Sequence, residues 1–196
     1  MKKMLLGLLL SATLLGGTAV TANAADAATG QSDGTVSFTG GDLTLDATGA
    51  GLDFGSNKIT DQKETYNNQT ANSGVKVSDL RGTGAGWSLS VTQQAQFKNG
   101  DTTDAKELKG AAINLNGVLD TSNVAGGAPT LIADSIPLTP TASTMIAGAK
   151  ADAGLGTTTI VYDTSTLDVP QSAIKLAGSK YTTTLFWNLG ATPIND

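Results

Sequence analysis

Apolar residues in this chain recur at every second position, in short runs divided by glycine, asparagine and threonine. A period of two places successive side chains on opposite faces of an extended backbone, so each run predicts a strand with one buried face. One such run, the strand read over residues 87–93, sets Trp87, Leu89 and Val91 on one side. In residues 181–189, Tyr181, Thr183, Leu185, Trp187 and Leu189 share a face opposite Thr182, Thr184, Phe186 and Asn188. These two stretches hold the only two tryptophans, and each tryptophan opens a W-x-L tripeptide. Both are expected near the centre of the fold. Phe186 is the one aromatic on an otherwise polar face. A strand buried on both faces would read as a continuous apolar run, so Phe186 is expected to be at least partly exposed and to serve contact.

Weaker runs fill in the rest. Residues 35–39 and 42–46 alternate around Gly40-Gly41, which reads as a hairpin. Residues 52–55 end a third short strand, and 75–79, 111–119, 157–162 and 167–170 read as further strands. Residues 58–73 are polar and lack a period, which predicts a long surface loop with Tyr66 as an anchor. Residues 94–109 read as a loop around Phe97. Residues 122–144 carry Pro129, Pro137 and Pro140 and read as irregular or edge material. Residues 145–153 make the one plausible helical turn, weakened by Gly148 and the following Gly154. With 24 glycines and no sustained 3.6-residue period, the predicted class is all-β: an antiparallel sandwich or barrel in one domain.

The N-terminus changes the picture of where the chain works. Lys2 and Lys3, an apolar run from Met4 to Leu15 and Ala22-Asn23-Ala24 read as a secretory signal peptide over residues 1–24. Residues 25–34 are expected as a disordered lead-in, and 35–196 as the domain. Loss of the two leader lysines takes the basic count from 12 to 10 against 17 acidic residues, a net charge of −7. Such a chain makes a poor nucleic-acid ligand, since it has a single arginine, Arg81, and no basic run. It should also be repelled by any anionic polymer unless its contact surface is locally neutral or basic. With no cysteine, an exported fold must rely on packing and backbone pairing alone.

Catalytic chemistry finds little to use. The absence of His and Cys removes triads, thiol nucleophiles and His-based zinc sites, and the only glutamates, Glu64 and Glu107, fall in polar segments. The expectation is no enzyme and no cofactor. Asp42, Asp46 and Asp53, and separately Asp101 and Asp104, could be read as calcium ligands, but neither group fits an EF-hand and aspartate is common in turns. Asp79 and Arg81, two apart on a strand, face the same way. They read as a structural pair closing the turn before Trp87, or else as a carboxylate- or sugar-binding arginine. The tryptophans carry the same choice between core packing and stacking on sugars, and their register with leucine favours the core.

The C-terminal stretch YTTTLFWNLGATP, with Tyr181, Leu185, Trp187, Leu189 and Pro193, resembles the C-terminal motif of the WxL-domain family of Gram-positive cell-surface proteins. It departs where Phe186 replaces threonine. LDFG at 52–55 and VSDLRGTGAGWSLSV at 77–91, with Trp87 and Leu89, extend the likeness over nearly all of the chain after the leader. The resemblance implies non-covalent attachment to peptidoglycan at the cell surface. It also implies partnership with a membrane-anchored WxL-interacting protein and other WxL proteins. The alternative is a structural or adhesive subunit that binds host matrix or partner proteins rather than wall polymer.

Overall fold

A computed structural model describes residues 30–195. The signal peptide expected at 1–24, and residues 25–29 of the expected lead-in, lie outside the described residues. The chain divides into two compact units, residues 1–37 and 38–196. Residues 30–37 of the first carry neither helix nor strand and are exposed. All strands of the described residues lie in the second unit.

Those strands are β1 (Leu43–Asp46), β2 (Glu64–Asn67), β3 (Gly74–Asp79), β4 (Trp87–Gln93), β5 (Ala112–Asn116) and β6 (Val118–Ala125). They continue with β7 (Thr130–Leu131), β8 (Ser135–Pro137), β9 (Ser143–Ala149), β10 (Leu155–Val161), β11 (Thr166–Val169) and β12 (Leu185–Gly190). No helix occurs among the described residues, and the fold is all-β. Three antiparallel sheets of four strands run in the orders β1-β3-β10-β6, β2-β11-β5-β8 and β12-β4-β9-β7. Their inward side chains form one apolar cluster that includes Val75, Val77, Trp87, Leu89, Val91, Ile113, Leu115, Ile146 and Ile160. The arrangement is consistent with a β-sandwich, one of the two architectures that the period-two pattern allows.

The best-patterned strand is placed as read. β4 alternates buried and half-buried residues along its whole length, because Trp87, Leu89 and Val91 face the core while Ser88, Ser90 and Thr92 face out. It is central in its sheet. β12 is not: it lies at the edge and pairs with β4 alone, which corrects the expectation that both W-x-L strands are central. Only Leu185–Gly190 of residues 181–189 enters the ladder, although Thr182 exchanges backbone bonds with Lys98 (3.0 and 2.9 Å).

Five other expectations need correction. Residues 35–39 form no strand, with Val36 78% and Phe38 91% exposed. β1 pairs with β3 instead, and Gly41 donates its N–H to the Leu80 carbonyl at 2.7 Å. A side chain at Gly40 would meet the Arg81 carbonyl oxygen at 2.5 Å, so the glycine pair serves close backbone approach rather than a hairpin. Residues 52–55 are not a strand, but Phe54 is buried edge-on to Phe97 at 6.4 Å. The polar stretch 58–73 contains β2, which pairs with β11 and packs Tyr66 against the core. Residues 145–149 belong to strand β9, not a helix: Ala147 and Ala149 are fully buried, and Ile146 nearly so, between β4 and β7. Alanine's helix propensity gives way to the need for small side chains in a crowded central strand.

Residues 111–119, expected as one strand, divide at Gly117 into β5 and β6, which belong to different sheets. A Cβ at Gly117 would lie 3.3 Å from side-chain atoms of both Leu131 and Tyr162, so the crossing between sheets is tightly packed at this point. Within 122–144 the structure places the short edge strands β7 and β8, and β6 is also an edge, consistent with the proline content.

Candidate functional site

The two W-x-L tripeptides meet as neighbouring strands. Leu189 stands opposite Leu89, and Trp187 opposite Val91, so the echo in the sequence becomes one ladder. Trp87 is wholly buried and donates its indole N–H to the Gly154 carbonyl at 3.2 Å. Gly154 has φ +68°, and a Cβ there would sit 2.7 Å from the Trp87 indole nitrogen, so only glycine allows this contact. Trp187 is half-buried and leans on Tyr162, ring centres 5.5 Å apart. Phe186 is 56% exposed, on the outward face across from Thr92. Pro193 is exposed in a tail whose next residue, Ile194, donates its N–H to the Ala149 carbonyl at 3.3 Å and packs over Gly148.

Asp79 and Arg81 form a bidentate pair, Nε to Oδ1 at 2.9 Å and a terminal nitrogen to Oδ2 at 2.7 Å. The same guanidinium nitrogen also donates to the Gly86 carbonyl at 2.6 Å, so the pair closes the 80–86 turn onto the start of β4. The Arg81 guanidinium holds the Asp79 carboxyl below the usual carboxylate range, against the opposing effect of burial. These three contacts are internal and use three of the guanidinium's five N–H donors.

A groove with a volume of about 1210 Å³ brings the remaining motif residues together. One wall is the 50–59 loop, which includes the LDFG stretch. The other is the 175–184 loop continuing into Leu185 and Trp187. Each wall is fixed by its own hydrogen bonds. Asp53 Oδ1 accepts from the Gly55 N–H at 2.8 Å, and the Gln69 N–H donates to the Asp53 carbonyl at 2.7 Å. On the opposite wall the Tyr181 hydroxyl donates to the Ile174 carbonyl at 2.9 Å and accepts from the Leu176 N–H at 3.2 Å. Lys175 crosses between the loops to the Thr60 carbonyl at 3.2 Å.

Of the residues singled out from sequence, Tyr181, Leu185 and Trp187 line this groove, while Trp87, Leu89, Asp79, Arg81, Phe186 and Pro193 do not. Sequence reading missed Tyr162, whose ring supports Trp187, and Lys58, Gln69 and Lys180, which line the groove. Lys58, Gln69 and Lys180 lie in polar loops without a period and Tyr162 ends a run read as a strand, so no local pattern could have united them. Burial pushes the Tyr162 hydroxyl pKa far up and keeps it neutral. No three His, Cys, Asp or Glu side chains gather as a metal site among the described residues.

The model of the WxL family, described as a surface cell wall-binding domain, matches residues 21–193. No curated protein and no solved structure matches the chain.

Proposed function

The chain belongs to the WxL family of surface cell wall-binding domains, and on that premise we propose that it is a non-covalent attachment module held on peptidoglycan. In this reading it is exported by residues 1–24 and works within a surface complex with a membrane-anchored WxL-interacting protein and other WxL proteins. Residues 35–196 form the working domain. The observation that carries the reading is the convergence of two distant family stretches, 52–55 and 181–187, on the walls of a single groove. Most of these residues are half-buried or exposed, unlike Trp87, so their side chains have surface left to offer a ligand. The family itself is one of wall-binding domains rather than enzymes. Attachment needs only a surface, and the chain's lack of His and Cys does not hinder it.

A second reading, an adhesive or structural subunit that binds host matrix or partner proteins, is favoured by a different observation. β12 is an edge strand with Phe186 exposed beside it, and an open edge can accept a strand from another protein. Sedimentation with purified, protein-free sacculi separates the two. An attachment module is expected to sediment alone. A chain that stays in solution until a partner protein is added would refute direct wall binding.

A further inference from the structure

Resting on that attachment reading, we infer that the groove between the 50–59 and 175–184 loops is the seat of the wall polymer, and that Lys58 and Lys180 on its lining bind the polymer's anionic groups. Tyr66, Tyr181 and Trp187 line it, and each is half-buried, which leaves ring surface open for the apolar faces of sugars. The Gln69 amide stands on the same lining with donors and an acceptor for hydroxyl and N-acetyl groups, and Asn57, whose amide nitrogen is held by the Phe54 and Gly55 carbonyls, adds its side-chain oxygen as an acceptor. At about 1210 Å³ the space suits several linked sugars rather than one.

Charge decides the class of glycan. The whole chain is net −5, yet the charged side chains on the groove are Lys58, Lys175 and Lys180 against Asp53 alone. Lys175 is committed to the Thr60 and Gln62 carbonyls, at 3.2 and 3.5 Å. Lys58 and Lys180 are exposed, and neither takes part in an ion pair among the described residues. Two uncommitted ammonium groups on a groove lined with rings complement a ligand that joins apolar sugar faces to anions. Net charge alone predicts that added salt aids retention. The local excess of lysine reverses that at this surface, because a docked group responds mainly to charges within the Debye length of about 8 Å. Exposed lysines also resist a purely apolar occupant, which would strip their water for no return.

The test uses the secreted chain and its intrinsic fluorescence. Trp87 is wholly buried, so a ligand-induced change in emission reports chiefly on Trp187. The probes are the disaccharide-peptide fragments that a muramidase releases from sacculi and, as an uncharged control, the tetramer of N-acetylglucosamine. Wild type is expected to bind the fragments more tightly than the tetramer, and to lose affinity for the fragments between roughly 50 and 200 mM salt. The double variant Lys58→Gln/Lys180→Gln, changed only at exposed positions, is expected to keep its melting temperature. It should lose about three- to tenfold in fragment affinity, along with the salt dependence.

Unchanged fragment affinity in the double variant would overturn the inference. So would a chain that sediments with sacculi yet binds no fragment, although the attachment reading would then stand. A double variant that keeps the fragments but loses a protein partner would make the groove a site for an acidic strand laid along β12. A wild-type chain that neither sediments nor binds fragments would sink both readings.

Discussion

The two tryptophans look equivalent in the sequence and should behave differently when removed. Trp87 is wholly buried, and its indole N–H satisfies the Gly154 carbonyl at 3.2 Å. Truncating a core tryptophan to alanine costs about 3–5 kcal/mol. Leaving the Gly154 carbonyl without its donor adds about 1 kcal/mol or more. Trp187 is half-buried at a sheet edge, with one side supported by Tyr162 at 5.5 Å. About half the transfer term applies there, roughly 1.5–2.5 kcal/mol. Against a typical total of about 5–15 kcal/mol, Trp87→Ala threatens folding itself while Trp187→Ala leaves a folded domain. Urea unfolding followed by far-ultraviolet circular dichroism compares the two without depending on tryptophan emission. The midpoint should fall at least twice as far for Trp87→Ala as for Trp187→Ala. A Trp187→Ala protein that is the less stable of the two would refute the reasoning, since it would mean that the edge strand carries the core.

Two more predictions rest on single side chains. Phe186→Thr, which restores the residue usual in the family motif, should alter stability by no more than about 0.5 kcal/mol, because Phe186 is 56% exposed. It should also weaken sedimentation with sacculi or with the partner protein; retention equal to wild type would remove Phe186 from the contact surface. Asp79→Asn should cost about 1–3 kcal/mol at neutral pH by breaking the pair with Arg81. The Asp79 carboxyl titrates lower when folded. Its stabilisation is therefore complete above the unfolded value of about 3.9 and fades as pH falls through the folded value. The gap in melting temperature between wild type and Asp79→Asn should narrow below about pH 4. A gap that holds constant down to about pH 2 would show that the loss is one of packing rather than of charge.

What the sequence determined by itself was local and periodic. Alternation settled the all-β class, the full extent of β4 and the outward turn of Phe186, because the face a residue takes on a strand follows from the parity of its position. Asp79 and Arg81 do pair, but Arg81 lies beyond the end of β3, so the turn rather than strand parity sets the pair. What it could not determine depended on partners distant in the chain. The alanines and glycine of β9 satisfy either a helix or a crowded strand, and only burial between β4 and β7 selects the strand. The refusal of residues 35–39 to pair with β1 goes with backbone approaches from Leu80 and Arg81, and the break at Gly117 with side chains of Leu131, Ile160 and Tyr162 packed over it. The groove was least legible. Its walls come from loops more than a hundred residues apart, and loops carry no period to betray which of them will face each other. Only closure of the sheets brought Lys58 and Lys180 to one lining and gave an acidic chain a basic surface.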